Sequence, residues 1–142
     1  MKEVTKQLVV LVGLPGSGKS TIRHKLYPNP YYYHISQDEQ GKEQHKHNFA
    51  AAIEDGLNIV IDRCNFNVEQ RQRYIKPARE AGYEITIVWL QVPAEECIAR
   101  INERRDHPNL AKGNEKIAEV VRMFDGMFKA PEDWEADRII KL

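Results

Sequence analysis

Eight residues constrain this chain more than any others: Gly13-Leu14-Pro15-Gly16-Ser17-Gly18-Lys19-Ser20, directly after the apolar run Leu8-Val9-Val10-Leu11-Val12. The stretch satisfies G-x-x-x-x-G-K-[ST], and the physics needs each part. Glycines let the backbone wrap an anion with its N–H groups turned inward. A helix starting at residue 18 offers its positive N-terminal end to the same anion. Lys19 reaches the β and γ phosphates, and the Ser20 hydroxyl can ligate Mg2+. At ordinary residue frequencies the pattern arises by chance in roughly 0.5% of chains this long. With a strand before it and a helix after it, the motif reads as a nucleoside triphosphate site; a purely structural glycine turn is the bland alternative.

Periodicity along the chain alternates between short apolar runs and helical patterns. Strands are expected over residues 7–12, 32–36, 57–62, 83–92 and 137–142. Helices are expected over 18–27, with Ile22 and Leu26 on its apolar face, and over 42–55, 68–81, 94–105 and 115–128. A loop is expected over 106–113. Such alternation gives βαβ units, so the fold class is α/β: a single P-loop NTPase domain over residues 1–142, with a mainly parallel sheet of about four or five strands, helices on both faces and a helical lid over about 100–116. Chemistry then belongs to loops at the C-terminal ends of the strands.

Composition narrows the partners. The 142 residues balance 21 Lys plus Arg against 21 Asp plus Glu. Proteins that wrap long duplexes carry a basic excess, because affinity comes from neutralising phosphates. A neutral chain holds only a local basic patch, which suits a strand end or a small phosphorylated ligand. Two cysteines, Cys64 and Cys97, make no disulfide framework and no zinc quartet. The apolar run over residues 8–14 is far shorter than the ~20 residues a membrane helix needs. No secretory signal is legible, so the expectation is a cytoplasmic protein with no membrane partner.

Two aspartates follow strands on the phosphate-loop side. Asp38 lies in His34-Ile35-Ser36-Gln37-Asp38-Glu39, and Asp62 closes Ile59-Val60-Ile61-Asp62. Phosphoryl transfer needs positioning, a divalent metal, cationic clamps and an acceptor for the nucleophile's proton. Asp62 suits the metal or the orienting of Lys19, and Asp38 suits hydroxyl activation; a turn or helix cap is the plain alternative for each. Arg100 and Arg104 share a helix face and can meet charge on the γ-phosphoryl. Arg63, Arg71, Arg73, Lys76 and Arg79 make a local basic rim opposed only by Glu69. His45 and His47 diverge on their helix and read as solvated. Tyr31-Tyr32-Tyr33 reads as half-buried packing rather than a stacking platform. Trp89 reads as core, whereas Trp134 is open between packing and proximity to a nucleotide base. Cys64 has no His partner to make it a nucleophile.

Four segments together carry a family likeness: 13–21, the short strand ending Gln37-Asp38, Ile61-Asp62-Arg63-Cys64-Asn65-Phe66-Asn67, and Val92-Pro93 followed by Arg100 and Arg104. Arg71-Gln72-Arg73-Tyr74, residues 78–82 and Phe128-Lys129-Ala130-Pro131 add to it. The chain resembles, from about Leu8 to Pro131, the kinase module of 5′-hydroxyl polynucleotide kinases, including the kinase parts of end-healing and tRNA-ligase proteins. The resemblance implies ATP- or GTP-dependent transfer of the γ-phosphate to the 5′-OH end of RNA or DNA. It implies Asp38 as general base, Lys19 and the lid Arg104 as catalytic cations, and Ser20 and Asp62 at Mg2+. Donor contacts fall on Gly13, Pro15, Gly16, Ser17, Gly18, Lys19, Ser20, Thr21, Arg100 and Arg104. Acceptor contacts fall on Asp38, Arg63, Asn65 and Arg71. Some relatives carry an arginine where this chain has Gly41, so the acceptor contact moves to Arg63 or Arg71, or the acceptor differs. In a second departure, no phosphatase, ligase or nucleotidyltransferase segment is legible, so the expectation is a stand-alone kinase module, with any ligase or phosphatase activity in separate partner proteins. Two rival readings remain: a P-loop kinase for a small metabolite or nucleotide, and a nucleotide-binding module without turnover.

Overall fold

The structure, a computed structural model, describes the backbone of residues 5–103 and 110–142 and the side chains of 5–103 and 116–142. Among the described residues five strands form one sheet: β1 (Gln7–Val12), β2 (Tyr33–Ile35), β3 (Ile59–Asp62), β4 (Glu84–Trp89) and β5 (Arg138–Lys141). Their spatial order is β2-β3-β1-β4-β5, and every neighbouring pair is parallel. Register places Leu11 opposite Asp62 and Ile35 opposite Ile61. The C-terminal ends of β2, β3 and β1 therefore lie side by side, and the loops after them share one edge.

Alternation within the strands divides the core into two layers. Leu8, Val10 and Val12 of β1 join Ile59, Ile61, Ile85 and Ile87 on one face. Val9 and Leu11 join Val60, Val88 and Leu90 on the other. Strands buried on both faces read as continuous apolar runs, as β1 and β3 do. The helices are α1 (Lys19–Leu26), α2 (Gln37–Gln40), α3 (Lys42–Glu54), α4 (Val68–Glu80), α5 (Ala94–Glu103) and α6 (Leu110–Met127). α5 and α6 enclose a third cluster of Leu14, Cys97, Ile98, Ile101 and Val121. None of the described helices is long and apolar enough to cross a membrane.

Several local expectations are corrected. α2 and the 3-10 turn Asp133–Glu135 are additional elements. α6 begins at Leu110, inside the stretch read as loop. α1 packs Ile22 against the layer of Val9, Leu11 and Val60 as expected, but it also turns Lys19 and Arg23 inward and leaves Leu26 exposed, because part of its inner side faces the polar sheet edge at Asp62. His45 is buried, not solvated, since α3 packs His45, Phe49 and Ala52 inward at helical spacing. Tyr32 and Tyr33 are half-buried while Tyr31 is exposed. Trp89 packs against Phe128, with ring centroids 5.7 Å apart, and Trp134 is exposed.

Candidate active site

Backbone geometry makes the phosphate loop. After β1 the chain turns at Gly16 (φ 84) and Gly18 (φ 98), and α1 begins at Lys19. A Cβ on Gly16 would sit 2.7 Å from the Cys97 carbonyl oxygen and 2.8 Å from Ile101 Cγ1, so α5 packs on this glycine too closely for any side chain. The loop is tied to the β3 side by Gly13 N–H to the Cys64 carbonyl, at 3.2 Å. Arg100 of α5, its guanidinium half in solvent, donates from Nη1 to the Ser17 carbonyl at 3.2 Å and from Nη2 to Glu96 at 3.0 Å.

Lys19 is buried, and its Nζ donates to the Gly13 and Leu14 carbonyls at 2.8 and 2.9 Å. The ammonium thus sits in the mouth of the loop, held by two acceptors that it can exchange for phosphate oxygens. Ser20 Oγ donates to Asp62 Oδ2 at 3.1 Å. A residue that sequence reasoning missed completes this corner. Arg23, 3% exposed, places Nη1 3.2 Å from Asp62 Oδ2 and grips Glu39 with Nη2 and Nη1, at 2.8 and 3.3 Å. Donation from Arg23 is the largest cause holding the Glu39 carboxyl below its ordinary value. The available signal was the four-residue spacing of Lys19 and Arg23, which puts both on one face of α1.

The Arg23–Glu39 clamp fixes α2, and with it the neighbouring Asp38. Asp38 faces two chambers. One, about 250 Å3, is the phosphate cradle, bounded by Gly16, Gly18, Lys19, Ser20 and Asp62. The other, about 400 Å3, is bounded by Arg63, Cys64, Phe66, Gln70 and Phe124. Asp38 and Pro15 line both. Burial, its largest cause, pushes the Cys64 thiol up and keeps it protonated beside the site.

Two expected acceptor contacts are overturned. Arg71 is fully buried: Nε and Nη2 donate to the Glu135 carboxylate at 2.7 and 3.3 Å, and Nη1 to the Asn65 carbonyl at 2.9 Å. Its guanidinium has no surface to show an acceptor. Asn65 is equally buried, and its Nδ2 donates to the Leu11 and Arg63 carbonyls at 2.7 and 3.2 Å. Sitting at φ 50, it staples the loop after β3 to the end of β1. The basic rim divides likewise: Arg79 bonds the Glu135 carbonyl and pairs with Asp137, whereas Arg63 stays at the site. Arg104, with the rest of residues 104–109 of the expected lid over 100–116, lies outside the described residues, as do the side chains of 110–115.

A parallel sheet, a lysine-bearing phosphate loop, and a hydroxyl–carboxylate pair at its edge define a P-loop domain with a site for nucleotide phosphates. Residues 8–131 match the family described as AAA domain, and the chain belongs to it. It is similar to "Transcription factor bHLH140" of Arabidopsis thaliana, 32% identical over 128 residues, 84% of this chain and 14% of that protein. It is also similar to the "Bifunctional polynucleotide phosphatase/kinase" of Schizosaccharomyces pombe, 35% identical over 103 residues, 71% of this chain and 24% of that protein. The chain thus spans a quarter or less of the length of these two relatives. In fold it is like a gluconokinase from Sinorhizobium meliloti 1021, with a TM-score of 0.65 at 14% identity over 99% of this chain and 83% of that one.

Proposed function

We propose that this protein transfers the γ-phosphate of ATP or GTP to the 5′-hydroxyl end of RNA or DNA. The observation that carries the reading is Asp38 in the wall between two chambers, one built for donor phosphates and one beyond it. A carboxylate there takes the proton of the 5′-OH as its oxygen bonds the γ-phosphorus. The bond from that phosphorus to the β–γ bridging oxygen breaks, and the nucleoside diphosphate leaves. Lys19, released from the loop carbonyls, follows the charge on the β and γ phosphates. The Ser20 hydroxyl and the Asp62 carboxylate offer two hard oxygens, the donors Mg2+ takes when phosphates and water complete its shell. When bound, that ion supplies charge neutralisation at the phosphates.

Similarity to a polynucleotide phosphatase/kinase over 71% of the chain supports the acceptor class. Residues 1–142 act in this reading as one kinase unit. Its lid over about 100–116 brings Arg104 to the γ-phosphate, and Arg100, already on the loop, assists. Ligase or phosphatase partners belong to the same proposal. A small-metabolite kinase is the second reading, favoured by a chamber of about 400 Å3, which suffices for one sugar-sized acceptor.

The deciding experiment offers 5′-OH RNA and DNA with labelled ATP or GTP. Labelled ends whose formation weakens steeply with salt are expected. Nucleotide binding without any labelled end would overturn the polynucleotide reading, and labelling of a sugar or nucleoside instead would establish the second.

A further inference from the structure

On the α3–α4 side of Arg63 lies another cavity of about 250 Å3. Its inner wall is formed by the buried residues His45, Phe49 and Tyr74. Its rim carries four cations: Lys42 and Lys46 of α3, Arg63 of the loop after β3, and Arg73 of α4. No acidic residue among the described residues lines it. The one ion pair described there, Arg73 to Glu69, spans 4.0 Å between two exposed side chains. In a chain of zero net charge, four positive groups surround one cavity. Their mutual repulsion falls when an anion enters.

Arg63 is held in place rather than left to solvent. Its Nη1 donates to Tyr74 Oη at 2.7 Å, Tyr74 Oη and His45 Nε2 are 3.1 Å apart, and His45 Nδ1 lies 3.1 Å from the Gly41 carbonyl. The carbonyl only accepts, so with a neutral ring Nδ1 carries the proton. Nε2 then accepts from the Tyr74 hydroxyl, whose oxygen accepts from Arg63. One unbroken direction of donation runs from Arg63 to Gly41, the residue joining α2 to α3. The guanidinium therefore stands at a seam: Arg63 and Gln37 line both this cavity and the chamber that holds Asp38.

The geometry points to this cavity as the seat of an internucleotide phosphate of the acceptor strand, downstream of the 5′-hydroxyl that Asp38 deprotonates. The inference rests on the polynucleotide reading. Donor phosphates, Asp38, Arg63 and this cavity then follow one another in a single path, so the strand enters past α3 and α4. Cations around the rim meet the diester.

The test compares wild type with a Lys46→Gln/Arg73→Gln variant, both positions being exposed and apart from the fold's core. Binding of a 3′-fluorescein-labelled, 5′-OH ten-nucleotide strand is followed by anisotropy across a salt series. Losing two phosphate contacts lowers the slope of log K against log salt by about 1.4, with weaker binding at low salt. Tyr74→Phe, which frees Arg63, weakens binding without changing the slope by that amount. An unchanged slope and affinity in the double variant, while strand ends are still labelled, overturns this inference alone. A wild type that neither binds nor labels the strand overturns the polynucleotide reading, and this inference with it.

Discussion

Arg71 and Arg63 lie eight positions apart in one basic stretch, yet the fold gives them opposite work. Arg71 turns inward to Glu135, 64 residues along the chain, and no local pattern reports a partner at that distance. Removing one member of a buried pair strands the other, so Arg71→Met should lower unfolding stability by about 3–5 kcal/mol in urea titrations. A contact reserved for substrate would instead leave stability untouched. At Glu39 the effect is one of pH. Its carboxyl is held below its ordinary value of 4.5, so the Arg23 bond stabilises fully above that pH and is lost as pH falls through the lower folded-state value. Glu39→Gln should therefore flatten the acid limb of the stability profile below pH 4.5, by a modest amount because the side chain is mostly exposed. An identical acid limb in both proteins would refute the clamp.

Elements were legible in proportion to how apolar their inner faces are. β1 and β3 announce themselves as continuous apolar runs, β4 as an apolar run broken at Thr86, and the phosphate loop as an ordered set of glycines. α1 was legible as a helix with Ile22 turned to the core, but not in its inward cations, since Lys19 is satisfied by loop carbonyls and Arg23 by Asp62 and Glu39. α2 is a single turn, too short to show a period. α4 shows a different kind of signal. Asn67 caps it, its side chain accepting from the Gln70 N–H at 2.8 Å. Asn67→Ala should cost about 1 kcal/mol, measurable by thermal unfolding, with Asn67→Asp close to wild type. Because α4 carries both Arg71 and Tyr74, fraying of its first turn would register at the site as well as in stability.

For the whole molecule, the strand order is what makes a site out of separated residues. Gly13 to Ser20, Asp38 and Asp62 lie at or just past the C-terminal ends of three strands that are spatial neighbours, so residues up to 49 positions apart in sequence share one edge. This much follows from alternating strands and helices, whereas the acceptor side does not. Which arginine faces outward depends on contacts between distant elements. A nucleotide binding that edge stabilises the fold by about 2.7 kcal/mol at one hundred times its Kd, which is roughly 8–10 °C in a domain of this size. Lys19→Ala should lose most of that shift in melting experiments with ATP, and an undiminished shift would place the nucleotide elsewhere. Transfer depends finally on Asp38 as the proton acceptor. Its most direct measurement is the rate of labelled γ-phosphate transfer to a 5′-OH oligonucleotide by Asp38→Asn, with the ATP-induced melting shift recorded on the same protein. A rate at least about 100-fold below wild type with the melting shift intact is the predicted result. Transfer at the wild-type rate would contradict it.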